Sequence, residues 1–290
     1  GSEAIRGQPD EEPQWVSVPA RMAALLAGVY VAWCVVAPGL PPMGRIAGTL
    51  LSVTVSTALS VGVIYHTARV PTTVRGEIVG ALLCVGMWVG LLWLSGQAKE
   101  DARVGAVVGQ TFFIFGATFA AKGIARTVRH ANLLLPIAVV AVIFDAVYVF
   151  WGPTGRFVDV APDAVAQVSV AIPVVGGVRA PEATQQGFLQ TSAGPGDILF
   201  VAFILAACLR LRLNARGAYM AIVPLIIAAA CFVEATGLPL PGWLVIAPGF
   251  LATNYEHFVY TPDEKRAMLQ AALAVVILVA VTLAAFHWSR

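Results

Sequence analysis

The sequence predicts an all-α polytopic membrane protein, and its composition and hydropathy carry that prediction. Of its 290 residues, 59% are hydrophobic and only 12% are charged, whereas soluble domains carry roughly 25% charged residues. The mean hydropathy is +0.82. A helix needs about 20 apolar residues to cross a bilayer, and about nine runs of suitable length follow one another along the chain. No basic, aromatic-rich patch indicates nucleic-acid binding, and no metal-ligand spacing occurs among the cysteines and histidines.

The nine predicted segments are joined by short connections, with one exception. They lie at roughly 21–38, 45–66, 75–96, 104–124, 132–151, 197–213, 217–236, 240–255 and 266–288. The polar stretch 1–20 precedes them, and its Gly1-Ser2 start is typical of a cloning remnant. The eighth segment contains Pro239, Pro241 and Pro248, which predict an irregular start because proline lacks the amide that a helix needs.

The exception is the long connection 152–194, between the fifth and sixth segments. Its stretch "AQVSVAIPVVGGV" (Ala166–Val178) is too short to span and is rich in β-branched residues, which predicts a strand. Lys and Arg residues are about twice as frequent in the connections on the N-terminal side of the membrane as on the other side. The positive-inside rule therefore predicts a cytoplasmic N-terminus and an external 152–194 connection.

Acidic residues inside apolar segments are the strongest functional signal. Asp145 lies deep within Leu133–Pro153, where a charge costs about 2.5–3.5 kcal/mol on insertion scales. Asp197 begins the sixth segment directly after Gly194-Pro195-Gly196. It has a plain alternative role, because aspartate is common in the first turn of a helix. Glycines before it would let another backbone approach closely.

Together, Asp145 and Asp197 suggest a catalytic pair. They lie on sequential segments, so their helices can be neighbours. Two carboxyl groups that share a dry site cannot both ionise easily, which leaves a protonated acid beside a carboxylate. The carboxylate can deprotonate a water while the acid donates a proton to a scissile carbonyl. Neither role is assigned to either residue, because such a pair titrates as a unit.

Three motifs resemble those of the presenilin and signal peptide peptidase family. Phe144-Asp145 is similar to the family's Tyr-Asp motif, and Gly194-Pro195-Gly196-Asp197 to its Gly-x-Gly-Asp motif. Leu238-Pro239-Leu240-Pro241 stands where the family has Pro-Ala-Leu. The flanks Phe144–Gly155 and Leu244–Tyr255 also resemble presenilin, so that the likeness covers roughly residues 132–256. The chain resembles a prokaryotic presenilin-like homologue.

The resemblance implies an intramembrane aspartyl protease of a prokaryotic plasma membrane that needs no metal or cofactor. Its substrates would be transmembrane segments of other proteins, and transition-state inhibitors of aspartic proteases would bind it. Asp145 and Asp197 would be catalytic. The other motif residues would shape the active site: Phe144, Gly194, Pro195, Gly196, Leu238, Pro239, Leu240 and Pro241. The segment before Gly-x-Gly-Asp would pair as a strand with unwound substrate, for which Gln186–Ala193 and Val168–Val178 are the candidates.

On this basis the chain divides into four parts: the tail 1–20, scaffold helices 21–131, a catalytic core 132–256 that contains the connection 152–194, and a C-terminal helix 257–290. The likeness has departures. Phe144 replaces the family's tyrosine, and the Leu-Pro-Leu-Pro match is degenerate. We predict four segments before Asp145, where presenilin has five, and the predicted orientation resembles that of signal peptide peptidase.

Other functions fit part of the pattern. Membrane acids and a broken helix also suit a proton-coupled transporter, although no internal repeat is evident. A catalytically inactive scaffold of the same fold would keep the helices while Asp145 and Asp197 stood too far apart to share a water. A prepilin-peptidase-like enzyme also uses Gly-x-Gly-Asp, but the sequence has no cysteine-rich loop to support it.

Overall fold

The computed structural model describes residues 14–41, 43–97, 102–150, 169–173, 175, 188–236, 238 and 240–266, and then 268–270, 273, 274, 277 and 281. This part of the chain is mostly helical. The helices are α1 Gln14–Val36, α2 Arg45–Ala68, α3 Val74–Gln97, α4 Ala102–Ala125, α5 Leu134–Phe150, α6 Pro195–Arg210, α7 Ala215–Thr236 and α8 Gly242–Asn254. The described residues between 262 and 281 are helical as well.

Five helices within these ranges are long and apolar enough to cross a membrane: α1, α2, α3, α4 and α7. Helices α5, α6 and α8 have 17, 16 and 13 residues, fewer than the roughly 20 that span a bilayer. The prediction of a mainly helical, multi-pass membrane protein therefore agrees with the structure, while the count of nine spans stays a prediction.

Most helix ends fall within three residues of the predicted segments. The main difference is α1, which begins at Gln14 rather than near residue 21, because a helix can continue past its apolar stretch into polar surroundings. The eighth segment has the irregular start that its prolines predict. Leu238, Leu240 and Pro241 are not helical, and α8 begins only at Gly242.

Helix α6 lies at the centre of the fold. It packs against α4, α2, α7 and α8, and its side chains from Phe200 to Cys208 are buried. Helix α1 packs on α2, and α3 packs on α4 at the periphery. Because α4 contacts α6 and α2 contacts α7, the N-terminal helices form one bundle with the helices that carry the acids.

A two-stranded antiparallel hairpin precedes α6. Strand β1 (Val170–Pro173) pairs with β2 (Phe188–Ala193), with Val170 opposite Ala193. The strand predicted within Ala166–Val178 is confirmed over Val170–Pro173, and Phe188–Ala193 of the candidate Gln186–Ala193 is a strand as well, whereas pairing with substrate stays a prediction. The two strands are the exception to an all-α fold. Ile172 packs with Val53 of α2, which lies about 12 Å along α2 from its start. Non-helical backbone at this depth is tolerated because it pairs and is covered by protein.

Hydrogen bonds fix the ends of α5, α6 and α8 that lie away from the hairpin. Asn132, just before α5, donates from Nδ2 to the carbonyl of Val259 at 2.8 Å, and Tyr260 donates from its hydroxyl to the Asn132 carbonyl at 3.0 Å. The amide of Asn214, after α6, donates to Oδ1 of Asn254 at 2.8 Å. These contacts align three helices whose opposite halves carry the site.

Candidate active site

Asp197 lies in the first turn of α6, and its carboxylate closes that turn. Gly194 is the N-cap residue and Pro195 begins the helix, a position that suits proline because the first amides of a helix have no partner. The amide of Gly194 donates to Oδ2 of Asp197 at 3.1 Å. The plain helix-capping role considered for Asp197 is therefore real, and it also holds the carboxylate in one orientation.

Asp145 reaches from α5 to the beginning of α8. Its Oδ2 accepts a hydrogen bond from the backbone amide of Trp243 at 2.9 Å, across 98 positions in sequence. Trp243 is in the first turn of α8, where amides lack partners within the helix and a negative charge is favoured. The first turn of α8 therefore binds the Asp145 carboxylate, whose charge would otherwise make α5 costly to bury.

The same turn of α8 lies against Asp197. A Cβ atom built on Gly242 would collide with Oδ1 of Asp197 and lie 2.7 Å from its Cγ and 3.1 Å from its Oδ2. Asp197 thus occupies the space that any side chain at position 242 would need. Since Asp145 contacts Trp243 and Asp197 contacts Gly242, two adjacent residues bring the carboxyl groups together. The contacts and covalent bond lengths limit the separation of the two carboxyl groups to about 10 Å.

An aromatic pair fixes α8 against α6 at this level. The Trp243 ring stacks on that of Phe200, which is buried one helical turn after Asp197. The contact positions the amide of Trp243 for Asp145 and the Cα of Gly242 for Asp197. It therefore orients both acids through a single rigid helix start.

Depth within the bundle is also similar for the two acids. Asp145 lies about 16 Å along α5 from Leu134, and Asp197 lies about 20 Å along α6 from Arg210. The start of α5 and the end of α6 lie on the same side of the bundle, because the chain runs along α5 toward the site and along α6 away from it. In a hydrocarbon core about 30 Å thick, such distances correspond to the central region.

The remaining predicted site residues are only partly brought together. Pro241 is buried directly before Gly242, whereas Leu240 is half-buried and the Leu238 side chain is 59% exposed. Pro239 lies outside the described residues. Phe144 is next to Asp145 in sequence, but its side chain is 38% exposed.

Pro195 and Gly196 directly precede Asp197 in the first turn of α6. Both are exposed, and a Cβ atom built on Gly196 would have no described atom within 4 Å. Nothing in the described part of the fold therefore requires glycine at position 196 for packing. Glu234, a third acid in an apolar segment, belongs to α7, and its side chain lies outside the described part.

Gly242 and Trp243 lie in the stretch Gly237–Trp243, whose predicted irregular backbone makes it a functional candidate from sequence alone, but sequence reasoning assigned neither residue a role in the site. They end the stretch "GLPLPGW", which the prolines mark as irregular, but the motif comparison stops at Pro241. A signal was present. A glycine after two prolines, followed by a tryptophan, indicates a helix start that needs close backbone approach on one side and a bulky contact on the other.

No family model matches the sequence, and no curated protein or solved structure matches it significantly. The functional assignment therefore depends on the motifs of this chain and on the geometry of its two acids.

Proposed function

We propose that the protein is an intramembrane aspartyl protease that hydrolyses peptide bonds within transmembrane segments of other membrane proteins, in a prokaryotic plasma membrane. One observation carries the proposal: the carboxyl groups of Asp145 and Asp197, from different helices, converge on the adjacent residues Gly242 and Trp243. The resemblance of the surrounding motifs to the presenilin and signal peptide peptidase family supports the same conclusion.

The chemistry needs a water between the two carboxyl groups. The ionised group removes a proton as the water oxygen attacks the scissile carbonyl carbon, and the protonated group donates its proton to the carbonyl oxygen. The tetrahedral intermediate then collapses as the amide nitrogen takes a proton and leaves as an amine. The two groups exchange roles within the cycle, so each must be able to hold the proton.

Asp145 and Asp197 are suited to this sharing because each has a fixed backbone partner. Trp243 binds Oδ2 of Asp145 and Gly194 binds Oδ2 of Asp197. The other oxygen of each carboxyl group accepts no hydrogen bond among the described contacts, and that of Asp197, Oδ1, lies beside Gly242. Fixed donors keep both groups oriented before substrate arrives, which is the preorganisation that catalysis requires.

The hairpin beside Asp197 offers a means of holding an unwound substrate. A helix hides its peptide bonds, so the substrate must open before attack. Strand β2 (Phe188–Ala193) pairs with β1 on one edge, and its other edge has no strand partner in the described part of the chain. We expect an extended substrate segment to add to that edge and to pass the accessible face of Gly196, next to Asp197.

The direct test is cleavage of a purified single-pass transmembrane substrate by the wild type and by the variants Asp145→Asn and Asp197→Asn. Asparagine keeps an oxygen that can accept from Trp243 or Gly194, so each variant should fold and express like the wild type. We expect each to lose cleavage by at least about a thousandfold, because a neutral amide cannot act as base or acid in the pair. Asp145→Ala and Asp197→Ala should be equally inactive.

A matched control is Asp263→Asn, which removes a carboxylate that is 94% exposed and pairs with the exposed Arg266. It should cleave at the wild-type rate. A hydroxyl-containing transition-state mimic of aspartic proteases should inhibit the wild type and bind neither Asn variant tightly. Full cleavage by Asp145→Asn or Asp197→Asn would contradict the proposal.

A further inference from the structure

A basic cavity lies at the opposite end of α6 from Asp197. It has a volume of about 460 Å³ and lies between the end of α2, the start of α3 and the ends of α4 and α6. Apolar residues, among them Pro71, Ala206 and Leu209, form part of its wall. Leu209 is 12 residues after Asp197, which places the cavity about 18 Å from the proposed catalytic site.

The charges of this cavity are strongly unbalanced. Four cationic side chains line it, and the described part of the lining contains one carboxylate, Glu77. That carboxylate is already bound by Arg126, whose Nε donates to Oε2 at 2.7 Å and whose Nη2 donates to Oε1 at 2.8 Å. The other three cations, Arg69, Lys122 and Arg210, form no salt bridge with a carboxylate among the described residues, although Lys122 also lies within reach of the Glu77 charge.

Two of these cations are held in place by backbone carbonyls. The Lys122 ammonium donates to the carbonyl of Val70, and Arg210 donates from Nη1 to the carbonyls of Ala125 and, at 2.8 Å, Val128. Lys122 is only 9% exposed. Arg210 is exposed, so the cost of burial falls on Lys122. Burying the Lys122 ammonium beside a neutral carbonyl leaves the loss of its hydration poorly compensated, so an anion in the cavity would stabilise the folded protein.

Arg69 completes the cluster from the exposed rim. Its guanidinium carbon lies over the Tyr65 ring, 5.5 Å from the ring centroid. This aromatic contact, rather than a carboxylate, holds the guanidinium in place. The cationic donors thus come from the ends of three helices, α2, α4 and α6. A ligand with several acceptor oxygens can accept hydrogen bonds from all of them. Phosphate has that chemistry, and arginine and lysine are its usual partners.

The position of the cavity indicates where the phosphate comes from. Arg69, Lys122, Arg126 and Arg210 all belong to the membrane side that the positive-inside rule assigns to the cytoplasm. Anionic phospholipids present their headgroups at that surface, and basic pockets between transmembrane helices bind them. The cavity also has apolar wall residues beside its charges, as a lipid requires and a freely soluble phosphate does not.

We propose that this cavity binds the phosphate group of an anionic phospholipid headgroup. The binding is independent of the two acids, because it involves a different end of α6. It would fix the relative positions of α2, α3, α4 and α6 at the cytoplasmic surface, and so support the central helix on which Asp197 is placed.

The test measures lipid binding to the full-length protein in a neutral detergent. Native mass spectrometry and thermal unfolding are followed while dioleoylphosphatidylglycerol, dioleoylphosphatidylcholine or inorganic phosphate is added. The informative variant is Arg69→Gln, since Arg69 is exposed and its loss removes one phosphate donor without removing a backbone hydrogen bond. Arg75→Gln is the matched control, because Arg75 is an exposed residue of the same surface that does not line the cavity.

We expect the wild type to bind phosphatidylglycerol at least tenfold more tightly than phosphatidylcholine and to unfold at a higher temperature with it. Arg69→Gln should lose roughly tenfold in phosphatidylglycerol affinity, as expected for one charge-assisted hydrogen bond, while Arg75→Gln keeps the wild-type affinity. Equal affinity for the two lipids, or equal losses in the two variants, would overturn the proposal. Inorganic phosphate that binds as tightly as phosphatidylglycerol and displaces it would also overturn the lipid assignment.

Discussion

Gly242→Ala is the substitution that best tests how the two acids are positioned. The added Cβ would lie 2.7 Å from Cγ of Asp197, whereas ordinary contact begins at 3.4 Å. Because Oδ1 of Asp197 lies closer still, either the carboxyl group or the start of α8 must move by more than about 0.7 Å. Gly242 does not have a positive φ angle, so alanine introduces this collision without backbone strain.

The effect should be much larger on catalysis than on stability. Overpacking by one methyl group costs about 1–3 kcal/mol, and a misplacement of about 1 Å can reduce the rate by about a hundredfold. We expect Gly242→Ala to remain folded and to lose about a hundredfold in kcat for a single-pass transmembrane substrate, with a smaller change in KM.

The assay compares initial cleavage rates over a range of substrate concentrations, with thermal unfolding as the check on folding. Gly90→Ala is the matched control, because a Cβ on that α3 glycine meets nothing within 4 Å. It should cleave at the wild-type rate and unfold at the same or a slightly higher temperature, because alanine favours a helix interior over glycine by about 1 kcal/mol. A folded Gly242→Ala protein that cleaves at the wild-type rate would refute the inference that α8 positions Asp197.

Two other substitutions test the approach to the site and the alignment of its helices. Gly196→Val should leave the protein folded, because no described atom lies near the new Cβ atom. It should reduce the cleavage rate by blocking substrate next to Asp197, and an unchanged rate would contradict this. Asn254→Ala should lower the free energy of unfolding by about 1–3 kcal/mol, seen as a lower Tm, because it leaves the Asn214 amide without its acceptor. Thr253→Ala is the control, since the described hydrogen bonds of that hydroxyl, to the carbonyls of Gly249 and Phe250 and from Nδ2 of Asn254, all lie within α8; equal losses would contradict a role in helix alignment.

Local sequence signals were enough to find the acids and strand β1. Asp145 is conspicuous because a charge within an apolar run is costly, and that is visible without any knowledge of its neighbours. The alternation and β-branched residues around Val170 likewise predict a strand from a few consecutive residues. The irregular start of α8 follows from prolines, whose effect on a helix is local.

Long-range contacts were not predictable in the same way. Gly242 is important because Asp197 occupies the space beside it, and Trp243 because its amide binds Asp145 from 98 positions away. Neither contact produces a periodic pattern or a fixed residue spacing that can be recognised in a single sequence. The basic cavity is similar, since residues such as Arg69 and Arg210 come from separate helices and become one cluster only when the bundle forms.

In the proposed mechanism, Asp145 and Asp197 act on one water molecule. A crystal structure of the protein with a hydroxyl-containing transition-state mimic bound examines this arrangement itself. We expect the hydroxyl oxygen of the mimic to lie within about 3 Å of a carboxyl oxygen of each residue. A bound mimic that contacts only one of the two carboxyl groups, or that binds away from both, would contradict it.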